Sequence, residues 1–579
     1  MTRLFIDGNE VALDQDFNIE YITENPYFTR KGEYTYDIDI DLRYPQNRQV
    51  YKNINRMDVT STLSNRTAEL IVDGVVVIRG IEIVLSTTFR SVSIQIVSGN
   101  SQLNYDGNRK IRDFDIPVVN YNAESAVQTL LGTYKSYNAV YTPVVYQENN
   151  RYQTYNKVSN NGDIIMIDES TLIPQYYLFY IIDYILQSMG FKKGTVNLTY
   201  LNLWYRLIIV NSNKKLKPAE LLPDWTVSEM LEEIELFFNC ILTVDKFTGV
   251  YNITDIGTYF DNAIIYNIDD ILDDDVEKNY NDETNYAFVY EKVSYDLDSS
   301  TYYNYLKLKN GVREACTVID IESYDKADVS KYNDYFSSPV ILHDLKYDVD
   351  YVVNNFKVGN QEDVKGLTVI DRFIDEGEDN NQNETVFKII PAEVDYIDVW
   401  DEKTGKSVVV PAVKQISSVE DDTGEVGVND LINGDGLFEQ DIPDRIKVGI
   451  YYGLGKGYYE STDASTTHPN TQVPMSAVDN MALSYPSIIN GTQGLINMPL
   501  NYTLALAGDD GLYNKVYKNK REIDTSVEYI FRFVVTERLY DLKNLFCIRN
   551  KLYYCKQIKY TISPKGYDKI AEGIFYLAE

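Results

Sequence analysis

Residues 68–84 read AELIVDGVVVIRGIEIV. Two apolar runs meet at Asp73-Gly74, and Arg79-Gly80 interrupts the second. Such a stretch is either a phosphate-holding loop or a corner between strands. A nucleotide loop needs GxGxxG spacing and must open a helix; here the spacing is wrong and another strand pattern follows. The strand reading places Leu70 and Val72 toward a core, makes Asp73 and Gly74 a tight turn, and resumes the strand at Val75 and Val77. Gly80 is then expected to be a bulge or turn before IEIV continues the sheet.

The neighbouring sequence has the same character. LFIDGNEVAL offers a second Asp-Gly hairpin at Asp7 and Gly8. YTYDIDIDL, Tyr34 to Leu42, sets Tyr36, Ile38, Ile40 and Leu42 on one face and Asp37, Asp39 and Asp41 on the other. Such a like-charged face needs water or a basic partner alongside. In TTFRSVSIQIVSGN, Val92, Ile94 and Ile96 alternate with polar residues and the strand stops at Gly99 and Asn100. VDYIDVW with VVVPAV, RIKVGIYYG, SVEYIFRFVVTERL, LFCIRNKLYYCKQIKYTI and GIFYLA extend the pattern to the end of the chain.

Two stretches change period. Pro174 to Phe191 reads as a helix that starts at its proline and ends at Gly190, with Phe191 folding back. Leu222 to Asn239 is a second helix: Thr226 caps it, Glu229 completes a capping box, and Trp225 packs on Met230 as a staple. CILTVDKFTGVYNIT then reads as two strands with a turn at Lys246 to Gly249. The fold class is therefore mainly β with a few helices (α+β), multidomain, with barrel or sandwich domains.

A 579-residue chain exceeds what one core serves, so about three or four domains are expected. The segments are a β domain over 1–110, an α+β domain over 111–257 and a β-rich middle over 258–415. An acidic, glycine-rich linker or long loop over 416–444 and a C-terminal β-rich domain over 445–579 follow. The 54 basic and 87 acidic side chains give a net charge of −33, which repels nucleic acid and anionic membrane but would let DNA slide through a lumen. The 51 tyrosines favour half-buried strands and broad contact surfaces. Cys240, Cys316, Cys547 and Cys555 form neither a disulfide framework nor a metal knuckle. The opening MTRLFIDGNEV shows no secretory signal, and no apolar run is long enough for a membrane helix.

Catalytic chemistry is sparse. The two histidines, His343 and His468, stand far apart and no HExxH helix exists. Gly453 to Gly457 lacks phosphate-loop spacing. Thr404 to Ser407 copies the end of a Walker A loop, but Trp400 stands where its first glycine belongs. NGDGLFEQD, from Asn433, fails as a calcium loop because Leu431 and Ile442 fall on ligand positions. No catalytic group, cofactor or metal is expected.

The order of elements resembles the large baseplate-hub or tail proteins encoded by phages and prophages of gut Bacteroidetes, distantly similar to the hubs of tailed phages and contractile injection machines. The matching features are the Tyr34 to Leu42 strand and its following polar segment with Asn47 and Asn55, then Leu70 to Gly80 around Asp73 and Gly74. Gly99 and Asn100 follow, with Leu103 or Tyr105 where an aromatic is usual. Leu222 to Trp225 enters a helix, and Ile548 and Tyr553 lie in the last hairpin. The resemblance covers about the first 255 and last 60 residues. It implies a non-enzymatic homotrimer at a virion's tail tip or baseplate, made in the host cytoplasm. Two barrel-like domains per chain would form a pseudo-sixfold ring, with tail-tube and spike or fibre proteins as partners. A receptor- or glycan-binding surface protein and a cell-wall hydrolase are the alternatives.

Overall fold

The computed structural model describes the chain except residues 30–31, 60–62, 64–65, 133–135, 149–150, 162–163, 213–216, 281–285, 288–291, 297–316, 323–327, 329–330, 333–339, 346–348, 357–363, 370–374, 378–383, 402–405, 417–442, 460–475, 486–503, 505, 507–510, 519–522, 537–538 and 579. It is mostly β, with several sheets and few helices. Strands β1 (Thr2–Ile6), β2 (Asn9–Val11), β3 (Ile19–Glu24), β4 (Glu33–Thr35), β5 (Ile38–Asp41), β6 (Arg66–Val72), β7 (Val75–Thr87) and β8 (Ser91–Ser98) share a 15-stranded sheet with the C-terminal strands. Its order runs β2-β1-β6-β7-β8-β4-β3 and then to Lys551–Ser563.

That path returns to its start. The Thr2 amide donates to the Pro564 carbonyl at 3.0 Å and the Thr2 hydroxyl to the Ser563 carbonyl at 2.5 Å, so β1 meets the end of Lys551–Ser563 and the sheet closes into a barrel. The interior follows the period-two expectation: Leu4, Ile6, Ile38, Ile40, Leu70, Val72, Ile94, Ile96 and Ile562 are all buried there. Lys551–Ser563 continues past the barrel to pair with Ile570–Leu577, which pairs with Val527–Val534 and so with Leu272–Tyr280.

Two readings change. Tyr34 to Leu42 is not one strand: β4 stops at Thr35, β5 starts at Ile38, and Tyr36 lies out in solvent, about half exposed. Ile38, Ile40 and Leu42 face inward, Asp37 and Asp39 outward, while Asp41 is buried against Arg43. Gly80 is not the bulge. The register skips at Val77, so Val77 and Ile78 are both buried and Val75 points outward. Gly80 instead pairs with Ala68, and a Cβ on it would lie 1.9 Å from the Val97 carbonyl of β8.

Helix α1 (Pro45–Val50) packs on the barrel core through Val50, and a second core gathers around α2 (Asn100–Asp106), α3 (Ala123–Leu130), α4 (Leu178–Ser188), α5 (Leu201–Trp204) and α6 (Val227–Phe238), each of which buries residues in it. Helix α4 begins four residues after Pro174, because Gln175–Tyr177 is taken as a strand by Ala139–Val140 and Leu207–Ile209. Its end matches the reading: Gly190 has φ +94°, and the Gly190 and Phe191 amides donate back to Gln187 and Leu186. Helix α6 has the expected capping box, with the Glu229 amide donating to Thr226 Oγ1 at 3.1 Å and the Thr226 amide to Glu229 Oε2 at 2.6 Å. A ring cluster of Phe179, Trp204, Phe237 and Phe238 joins these helices.

A 12-stranded sheet lines this core and includes Glu393–Asp401, Lys406–Ile416 and Ile446–Tyr459. Strand Ile446–Tyr459 pairs with Leu207–Ile209 and Ile389–Pro391, whereas Val527–Leu577 belongs with the barrel sheet. Nine of the ten largest fully buried side chains are tyrosines. Several of their hydroxyls find partners inside, as where Tyr451 donates to the Leu130 carbonyl at 2.7 Å.

Candidate functional site

The barrel is locked to the helical unit at the end of β8. Gly99 has φ +59° and ψ −129°, a backbone conformation for glycine, and a Cβ there would stand 2.9 Å from the Val244 carbonyl. The turn delivers Asn100 onto Cys240–Val244, the first strand of the next hairpin. Its Nδ2 donates to the Leu242 carbonyl at 2.8 Å and its Oδ1 accepts the Val244 amide at 2.8 Å, so one side chain does the work of a strand edge. Ser98 Oγ donates to the Lys246 carbonyl, and Ser101 Oγ accepts the Gly32 amide.

A charged clip crosses the same boundary. Lys246, at the tip of the Cys240–Asp255 hairpin, pairs with Glu33 of β4 at 2.8 Å, and the Tyr21 hydroxyl of β3 donates to Glu33 at 2.6 Å. Burial raises the Glu33 carboxyl above its ordinary value, against the opposing pull of Lys246 and of the Tyr21 bond. Burial and then the Glu33 charge push the Tyr21 phenol far up, so it stays a neutral donor.

The six residues singled out in the sequence divide among three places. Gly80, Gly99 and Asn100 come together around the end of β8, since Gly80 backs onto Val97 and Ser98 Oγ also donates to the Arg79 carbonyl. Asp73 and Gly74 make the β6–β7 turn, with φ of +52° and +82°, at the barrel end where Asp73 packs on Gly566. Trp225 lies in the helical unit, buried in the same core as Met230. Its carbonyl accepts the Ile111 amide at 2.9 Å, tying the entry of α6 to the segment after α2.

The likenesses to solved structures are faint in sequence. The chain is similar to a 43 kDa tail protein of prophage MuSo2 from Shewanella oneidensis: 9% identity, TM-score 0.33, covering 100% of this chain and 98% of that one. It is also similar to a tail protein from Neisseria meningitidis MC58, with 7% identity, TM-score 0.30, and coverage of 99% and 95%. A prophage tail protein gp18 from Listeria monocytogenes EGD-e gives 10% identity and TM-score 0.22, with coverage of 71% and 88%. No protein-family model and no curated protein matches the chain.

Gly453–Gly457 lies inside the strand Ile446–Tyr459, paired with Ser476–Tyr485. Thr404 and Gly405 fall outside the described residues, between strands in register from Asp401 and Lys406. His343 sits half-buried in the strand Val340–Asp344. His468, Cys316 and the NGDGLFEQD stretch lie outside the described residues, as does nearly all of 417–444. Cys547 and Cys555 are free thiols flanking the Arg549-Asn550 turn. Among the described residues no group of three or more His, Cys, Asp or Glu is placed to hold a metal ion, and no helix is long and apolar enough to cross a membrane. A cavity of about 150 Å³ lined by Tyr121, Tyr141, Pro174 and Asn211 is smaller than the roughly 300 Å³ at which small-molecule sites begin.

Several tying residues lie outside the motifs read from the sequence, and Asn47, read there only as part of a polar segment, joins them. Asn25 donates to the Leu542 and Cys555 carbonyls, Asn47 exchanges bonds with the Ala12 backbone and donates to the Asp41 carbonyl, and Asn156 ties Thr142 to Ile173. Inside the barrel Arg66 pairs with Glu82, which also accepts the Tyr51 hydroxyl at 2.6 Å. Each buried polar atom so satisfied avoids a cost of about 1–3 kcal/mol.

Proposed function

We propose that this chain is a structural, non-enzymatic component of a phage tail tip or baseplate, a homotrimeric hub that joins the tail tube to spike or fibre proteins. The observation that carries this reading is the joint: a barrel assembled from both ends of the chain, clipped to a helical unit by Asn100 and by Glu33–Lys246. Load applied to one unit passes through buried backbone bonds rather than through a flexible linker. On this reading the barrel and the strands beyond it supply the ring-forming domains. The acidic surface would let DNA pass a lumen without sticking. The order of motifs from Tyr34 to Trp225, and again at Ile548 and Tyr553, supports the same reading.

The rival, a glycan-binding surface protein, requires exposed tyrosines on which sugars stack. Among the described residues Tyr36, Tyr44, Tyr105 and Tyr280 meet that requirement, whereas Tyr21, Tyr27, Tyr51, Tyr141, Tyr176, Tyr177, Tyr251, Tyr451 and Tyr517 are fully buried. Mass measurement in solution with imaging of the particles tests the proposal: a ring-shaped trimer with an axial channel supports it, and a monomer retained by polysaccharide overturns it.

A further inference from the structure

One end of the barrel carries an exposed apolar and basic rim. Phe89, at the tip of the β7–β8 hairpin, is 82% exposed, and Met57 is fully exposed. Leu85 is pushed outward where the β7–β8 register shifts between Val84 and Ser86. These positions adjoin: Asn55 Nδ2 donates to the Phe89 carbonyl at 2.9 Å, and the Leu42 amide donates to the Arg90 carbonyl at 2.7 Å. Large apolar side chains grouped in this way on a surface mark an interaction site.

The charge there is opposite to that of the chain. Residues 42–57, LRYPQNRQVYKNINRM, hold Arg43, Arg48, Lys52 and Arg56 and no carboxylate, within a molecule of net charge −33. Arg43 is paired with Asp41 and Arg56 with Asp58. Arg48, Lys52 and Arg90 are exposed and make no ion pair among the described residues. Asp37 and Asp39, on the outward face beside β5, are likewise exposed and unpaired among the described residues.

We infer that this rim is an interface between copies of this chain, Phe89 and Met57 being buried against a neighbour while Arg48, Lys52 and Arg90 meet its carboxylates. The inference rests on the assembly proposed above and names the surface that makes it. A second copy fits better than nucleic acid, because three apolar side chains need an apolar surface to cover them, and the charge of −33 opposes a polyanion. Aromatic and arginine side chains are also the types enriched where protein interfaces concentrate their energy.

The test uses the full chain. Its mass distribution is followed by analytical ultracentrifugation at low and high salt, for the wild type and for Phe89→Asp and Arg90→Glu. Both substitutions sit in an exposed turn, and unchanged melting curves would show that the fold is intact. The inference expects each variant to weaken association at least tenfold and high salt to weaken the wild type. A wild-type oligomer that neither variant disturbs overturns the rim while leaving the hub reading standing. A wild type that is monomeric at all concentrations overturns both. Binding of duplex DNA that is lost in the same variants, without any change in mass, assigns the rim to nucleic acid and overturns the inference.

Discussion

The Asn100 amide donates to the Leu242 carbonyl while its oxygen accepts the Val244 amide, each at 2.8 Å, in a site closed to water. Removing the side chain strands two buried backbone groups at once. Asn100→Ala is expected to lower stability by about 2–4 kcal/mol, with urea unfolding as the measurement. Asn100→Asp keeps the acceptor but places a charge against the Leu242 carbonyl, and is expected to be no better tolerated. An alanine variant as stable as the wild type would show that the joint does not depend on this side chain.

Two glycines of one hairpin separate two physical roles. Gly74 has φ +82° and open space around it, so Gly74→Ala costs only the left-handed backbone, about 1–2 kcal/mol. Gly80→Ala puts a methyl 1.9 Å from the Val97 carbonyl and forces β7 from β8, with a larger expected loss. Chemical denaturation of both variants checks the order. Neither change is expected to remove a nucleotide affinity, since Asp73 and Gly74 join two strands rather than opening a helix.

The Thr226 cap of α6 gives a smaller and more local effect. Thr226→Ala removes the acceptor for the Glu229 amide and is expected to cost about 1 kcal/mol. Hydrogen exchange read along Val227–Phe238 should show faster opening of the first turn.

Glu33 makes a prediction with a definite sign. Its carboxyl is raised in the folded chain by burial and lies near the ordinary value when unfolded. Between those two values the folded state holds the extra proton, so this residue's contribution to stability falls as pH rises through the window. Relative to Glu33→Gln, the wild type should therefore gain stability on acidification through the range above the usual carboxylate value. Unfolding curves of both proteins across that range check it, and a wild type that loses ground to the glutamine variant on acidification contradicts it.

Period and turn chemistry made much of the fold legible. Ile38, Ile40, Val92, Ile94 and Ile96 fall inside the barrel as their alternation requires, Thr226 caps the start of its helix as read, and Gly190 stops the other. What escaped depends on distant partners. No local pattern shows that Lys551–Ser563 lies beside β3, or that the segment after Pro174 is first drawn into a sheet. Gly80 looked like a bulge because sequence does not reveal which neighbouring strand presses on it. The position of Asn100 was marked by Gly99, but its two bonds needed the hairpin from Cys240 to be in place. Glu33, Tyr21 and Lys246 sit more than two hundred residues apart at the extremes, so their clip had no trace in any one stretch.

The central claim is a closed assembly of several copies around an axial channel. Imaging of the purified full chain by electron microscopy, with its mass measured in parallel, tests it most directly. The account predicts ring-shaped trimers with an open axis. A monodisperse monomer with no ring at any concentration would contradict it.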